Sequence, residues 1–138
     1  MAFIAFVCLF ILILAALMPY FKKRHKKAVH DLFAGRAELT EQAFFEQYFK
    51  AEGVSERVAI GVRQVLEETF EADLSQLSAE DDFSQNIRYF FESDSMANLD
   101  LLVAVEKRFS IKITDIEAEN VSTIRQLVML VHEKVSHQ

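Results

Sequence analysis

Four histidines, one cysteine and 21 acidic residues are the groups that could do chemistry in this 138-residue chain. His25, His30, His132 and His137 never fall at metal-ligand spacing with a second histidine and a flanking carboxylate, so no metal site is expected. Cys8 lies inside an uninterrupted apolar run, where it serves as a small hydrophobe rather than a nucleophile. There is no glycine-rich phosphate loop and no metallohydrolase histidine motif. The carboxylates at Glu67-Glu68, Asp81-Asp82 and Glu117/Glu119 read as solvated faces; acid–base work would need them to converge in a cleft. No catalytic residue is therefore expected. One site has a local physical rationale. Ser95 follows Asp94 where a helix should begin, after a long loop. A phosphate on that hydroxyl would meet the backbone N–H groups and the positive end of the helix dipole. The same two residues also suit a helix cap and nothing more.

The elements that would position these groups differ along the chain. Ala2–Phe21 contains no charged residue, and only Pro19 of its 20 residues is not apolar. A bilayer core needs about 20 apolar residues in helical form. Lys22-Lys23-Arg24-His25-Lys26-Lys27 follows at once, with five formal positive charges. All 21 acidic residues come later, against the 10 remaining Lys and Arg, so residues 28–138 carry a net −11 while the chain carries −6. The expected arrangement is a single-pass anchor in the inner or plasma membrane. Tyr20 and Phe21 would lie at the interface, with the basic run and everything after it cytoplasmic. A cleaved signal peptide carries its positive charge before the apolar run, not after it. The acidic remainder would repel phosphates, so no nucleic-acid partner is expected. Three glycines and one proline are too few for a strand-and-turn architecture, and a lone cysteine excludes a disulfide framework.

The rest of the pattern is helical. Ala28–Arg36 can continue the first helix until Gly35 breaks it. Thr40 can cap a helix over Glu41–Ala51, with Phe44, Phe45, Tyr48 and Phe49 as an aromatic packing face, and Gly53 ends it. Ser55 can cap the next helix, which runs to about Glu71 with Val58, Val62, Val65, Leu66 and Phe70 at helical spacing. Residues 72–85 read as a long loop partly anchored by Leu74, Leu77 and Phe83, and 86–91 as a short helical insert. A helix from Ser95 has Met96, Leu99, Leu102, Val103, Val105 and Phe109 on its apolar side. Asp115–Glu119 suits a single turn. Ser122 or Thr123 caps a last helix with Ile124, Leu127, Val128, Val131 and Val135 inward. The fold class is all-α, a bundle of about four main helices with one long connection.

Residues 94–109, Asp-Ser-Met-Ala-Asn-Leu-Asp-Leu-Leu-Val-Ala-Val-Glu-Lys-Arg-Phe, resemble the acyl carrier protein family. In that family an Asp-Ser-Leu motif opens the second helix. Ser95 matches the serine that carries 4'-phosphopantetheine, Asp94 the acidic residue before it, and Phe109 falls at the family spacing. Ile111, Ile113, Asp115, Ala118 and Glu119 resemble the segment leading to the family's short third helix, and Val121-Ser122-Thr123-Ile124 the opening of its last. The resemblance covers roughly residues 55–135. The sequence departs from the family at Met96, where leucine is usual, and at Glu92, where glycine is usual. The approach to Ser95 is also longer, and it contains Tyr89, Phe90 and Phe91.

The resemblance implies an acyl-carrier-like four-helix bundle over 55–138. Before it come a transmembrane helix (1–21) and a basic collar with a helical spacer (22–54). It implies a 4'-phosphopantetheine cofactor on Ser95, holding acyl groups as thioesters in lipid or fatty acid biosynthesis. Asp94, Met96, Asp100 and Glu106 would meet basic patches on a phosphopantetheinyl transferase and on acyl-transferring or synthase enzymes. Met96, Leu99, Val103 and Ile113 would face the core and line space for an acyl chain. The alternative is an unmodified carrier-like adaptor at the membrane, which Glu92 and the aromatic insert favour.

Overall fold

The computed structural model describes residues 1–92 and 96–138. Among them all regular structure is helical, apart from an isolated bridge between Asp82 and Thr123. The chain divides into two compact units, Met1–Ala34 and Gly35–Gln138.

The first unit is one helix, α1 (Ala2–Leu32), with Pro19 inside it. The helix of the apolar run therefore continues without interruption through the basic residues, as the lack of other breakers dictates. At 1.5 Å per residue its 31 residues extend about 46 Å, and the uncharged stretch alone about 30 Å, the thickness of a bilayer's hydrocarbon core. By length and composition this helix is long and apolar enough to cross a membrane, and protein covers none of its most apolar window.

The second unit begins at Gly35, in the left-handed region at φ 85°. The Thr40 hydroxyl accepts from the Ala43 N–H at 3.1 Å and caps α2 (Glu41–Tyr48); a 3-10 turn follows over Lys50–Glu52. Gly53 closes that turn at φ 73°, a conformation that costs other residues strain. Ser55 occupies the N-cap of α3 (Glu56–Phe70) without capping through its side chain; its N–H donates to His132 Nδ1 instead. Then come α4 (Tyr89–Glu92), α5 (Ala97–Phe109), α6 (Asp115–Glu119) and α7 (Ile124–Ser136). Thr114 and Thr123 each form a reciprocal capping box, with Glu117 and Gln126 respectively.

The core gathers on α3, which packs against α2, α5 and α7. Val58, Val62 and Leu66 of α3 meet a buried layer that includes Val105 of α5 and Ile124, Val128 and Val131 of α7. The approach of α3 to α5 is close. A Cβ at Gly61 would lie 2.7 Å from Cζ of Phe109, so the glycine makes room for the ring. Leu74, Leu77 and Ile87 are buried and anchor the 71–88 connection. At its surface the Asp82 carboxylate accepts from the Ser84 hydroxyl and N–H, which holds its pKa below the ordinary value.

Three arginines bind the 35–54 segment to the rest of the unit. Arg36 donates to both oxygens of Asp81 at 2.7 and 2.9 Å, and this bond raises the guanidinium above its ordinary pKa. Arg63, buried on α3, donates to the carbonyls of Leu39 and Thr40 and lies over the Phe44 ring. Arg125 donates to the Tyr48 carbonyl, pairs with Glu52 and Glu80, and lies over Phe49. Residues 35–54 therefore belong to the same compact unit as 55–138. Asp81 corrects an expectation: it is almost wholly buried, not part of a solvated face, because Arg36 and the Ser78 N–H take its oxygens. Glu67 and Glu117 are likewise paired, with Arg63 and Lys134.

Candidate functional site

The Asp94-Ser95 motif and the neighbouring Ser93 lie outside the described residues, as does the expected helix start at Ser95. The described helix α5 begins at Ala97, with Met96 at its N-cap position. Its 13 residues place the other expected site residues in distinct environments.

Met96, Leu99 and Val103 are each about half exposed, at 52%, and do not face the core as expected. The inward side of α5 is Ala97, Leu101, Val105 and Phe109. The helix is apolar on more than one side, so spacing alone fits two faces, and packing against α3 selects the second. The three exposed residues recur at i, i+3 and i+7, which forms one stripe along the helix. Asp100 is exposed beside this stripe in sequence. Glu106 is only partly exposed. It accepts from the Ile113 N–H at 2.9 Å and pairs with Lys112 at 3.9 Å, so it fastens the connection between α5 and α6.

Ile113 does line an apolar cavity of about 270 Å³, together with Leu101 and Leu102 of α5 and Leu127 and Leu130 of α7. Phe83 and Phe91 supply further wall, and the exposed Asn98 and Glu119 also line it. Spacing along one helix could not show this cavity, because its walls come from segments between residues 83 and 130. The Phe91 contribution had one visible sign in the sequence, the aromatic insert ahead of Ser95.

On the α6 side of the site, Lys134 donates to Glu117 Oε2 at 2.9 Å. That bond, and the backbone N–H of Thr114, hold the Glu117 carboxyl below its ordinary pKa. Among the described residues no group of three or more His, Cys, Asp or Glu could hold a metal ion.

No protein-family model matches the sequence. Individual proteins do. The acyl carrier protein of Cyanidioschyzon merolae is 32% identical over 75 residues, covering 53% of this chain and 78% of that protein. The acyl carrier protein of Helicobacter hepaticus is 31% identical over 67 residues, 49% of this chain and 83% of the relative. The chain belongs to the acyl carrier protein family. The acyl carrier protein of Cyanidium caldarium, 26% identical over 83 residues, extends the match to 92% of its own length. Members of the family are carriers rather than catalysts, and the expectation of a non-enzyme agrees with this. The family match spans at most 60% of this chain among these relatives. An apolar helix of membrane-spanning length is present in addition.

Proposed function

We propose that the protein is a membrane-tethered acyl carrier that holds acyl groups as thioesters on a 4'-phosphopantetheine arm at Ser95. A separate transferase moves the arm from coenzyme A to the serine hydroxyl. The arm supplies the thiol for the thioester; Cys8, on the apolar helix, has no part in it.

The observation that carries the reading is the apolar cavity beside α5, in a chain of this family. Asn98 on the cavity lining is three residues beyond Ser95 in sequence. A hydrocarbon chain starting near the head of α5 would find there a largely apolar surface of Leu102, Ile113 and Leu130 against which to leave water. The first turn of α5 adds backbone N–H groups and the positive end of a 13-residue helix, which favour a phosphodiester near position 95. The exposed Met96, Leu99 and Val103 stripe supplies apolar contact for partner enzymes. Asp94, Asp100 and Glu106 supply negative charge for basic patches on the transferase and on acyl-transferring or synthase enzymes. Such complementarity raises encounter rates more than affinity.

In this reading α1 crosses the inner or plasma membrane, with Lys22–Lys27 and the Gly35–Gln138 unit on the cytoplasmic side. The four helices α3, α5, α6 and α7 form the carrier bundle, and 35–54 is an addition fastened to it. Tethering confines the carrier to enzymes at the same membrane and raises their effective concentration.

The test uses the full chain in lipid nanodiscs with coenzyme A and a broad-specificity phosphopantetheinyl transferase. The reading expects the mass of one phosphopantetheinyl group to be gained, and the gain to be abolished in Ser95→Ala. No gain on folded protein overturns it and leaves the unmodified adaptor.

A further inference from the structure

Much of the positive charge on the Gly35–Gln138 unit is already committed. Arg36, Arg63, Arg88, Lys112, Arg125 and Lys134 each pair with a carboxylate. The collar on α1 differs. Lys22, Lys23, Arg24, Lys26 and Lys27 are all exposed, and none of the five forms an ion pair among the described residues. Asp31 lies four residues beyond Lys27, a spacing that suits pairing along a helix, yet it meets His30 instead at 3.4 Å. The Gly35–Gln138 unit carries 20 acidic residues against 10 Lys and Arg. An anionic surface repels a unit of that sign, so attraction to one falls to the collar alone.

Depth and circumference both suit the collar to a headgroup layer. The uncharged stretch matches the hydrocarbon core, and Lys22 to Lys27 spans about 8 Å of helix directly after it. A bilayer with a core of about 30 Å and a full thickness of about 40–45 Å has a headgroup layer of roughly 5–8 Å on each side. At about 100° per residue, Lys26 stands about 40° around the helix from Lys22, Lys23 about 100°, Lys27 about 140° and Arg24 about 200°. A helix lying flat on a membrane keeps its charges on one face, opposite an apolar one. These five cover more than half of the circumference, which suits an upright helix with lipid on several sides. Lysine meets a phosphate as a point charge and arginine as a two-pronged donor.

We propose that Lys22, Lys23, Arg24, Lys26 and Lys27 form a ring-shaped binding site for the headgroups of anionic phospholipids, which gathers such lipids around the anchor. This rests on α1 crossing a membrane and is independent of the arm on Ser95. Each cation near an anionic lipid surface favours it roughly fivefold. The attraction is screened by salt, because the collar is exposed.

The experiment counts lipids retained by the full chain in native mass spectrometry, from non-ionic micelles holding equal amounts of phosphatidylglycerol and phosphatidylcholine. Native chain should retain phosphatidylglycerol about fivefold over phosphatidylcholine, and the preference should shrink between about 0.05 and 0.5 M ammonium acetate. Replacing all five cations by glutamine should bring the ratio to about one. If that variant fails to insert during expression, Lys26→Gln with Lys27→Gln keeps three cations and should lower the ratio in part. Lys22→Gln and Arg24→Gln, on opposite sides of the helix, should lower it alike. A native ratio of one overturns the proposal and leaves the acidic unit as the collar's partner; a ratio that survives the glutamine changes overturns it too. A change confined to one side of the helix replaces the ring with a single pocket and also overturns it. The anchor is read separately, by washing phosphatidylcholine vesicles that carry the chain with alkaline carbonate. A chain that washes off refutes the membrane reading, whereas one that stays without a lipid preference refutes the collar site alone.

Discussion

Replacing Gly61 by alanine tests the close packing on which the position of α5 depends. In an exposed helix interior this change stabilises, by about 1 kcal/mol, because alanine is the better helix former. Here the added Cβ would lie 2.7 Å from Cζ and 3.1 Å from Cε1 of Phe109. Carbon atoms sit comfortably at about 3.5–4.0 Å, so the overlap is roughly 1 Å against a ring that is only 4% exposed. The ring cannot withdraw to solvent, and α3 and α5 must separate or Phe109 must leave its rotamer. Overpacking of this kind costs about 1–3 kcal/mol. Set against the propensity gain, the net loss is about 1 kcal/mol, and the melting temperature of the Gly35–Gln138 unit should fall by roughly 5 °C. Thermal unfolding of the full chain, followed by circular dichroism of that transition, measures it. Combining Gly61→Ala with Phe109→Leu should recover part of the loss relative to the sum of the single changes. A higher melting temperature in Gly61→Ala would refute the argument.

Other outcomes follow from the same geometry. Arg36→Met leaves the Asp81 carboxylate, whose side chain is 2% exposed, with the Ser78 N–H and without its cation. Breaking a buried pair costs about 3–5 kcal/mol; with Arg36 itself a third exposed, roughly 2–3 kcal/mol is expected in urea unfolding. Acidification should loosen the surface ties of Asp82 and Glu117, whose folded pKa values are depressed. The stability they give is present above their unfolded pKa, about 4, and is lost as pH falls through the lower folded values. Carboxyl NMR titration should show both midpoints below ordinary carboxylates, and Glu117→Gln should remove part of the acid sensitivity. Leu99→Ser and Val103→Ser, on the exposed stripe, should leave unfolding within about 0.5 kcal/mol of native. They should slow transferase modification about tenfold, the effect of losing one interface anchor.

Much of the fold was legible because its signals are local. The caps at Thr40 and Thr123, the stop at Gly53, and the inward stripes of α3 and α7 each depend on residues within one or two turns. Long-range partnerships were not legible. Arg36 and Asp81 are 45 positions apart, and nothing in either segment announces the other. That pair is one reason why residues 35–54 join the helical unit rather than stand off from it. On α5 the sequence put Leu99 and Val103 on one apolar side with Val105 and Phe109; packing against α3 keeps Val105 and Phe109 inward, adds Leu101, and leaves Leu99 and Val103 exposed. At the candidate site the Asp94-Ser95 motif was visible as a motif. The cavity was not, since Phe83, Phe91, Ile113 and Leu130 meet only in three dimensions.

The central claim is that Ser95 carries the arm, and mapping the modification to a residue tests it most directly. Trypsin cuts after Arg88 and Lys107, which isolates a peptide containing both Ser93 and Ser95. After treatment with coenzyme A and the transferase, fragmentation of that peptide should place one phosphopantetheinyl group on Ser95 and none on Ser93. A peptide that stays unmodified, or one modified at Ser93, would contradict the account.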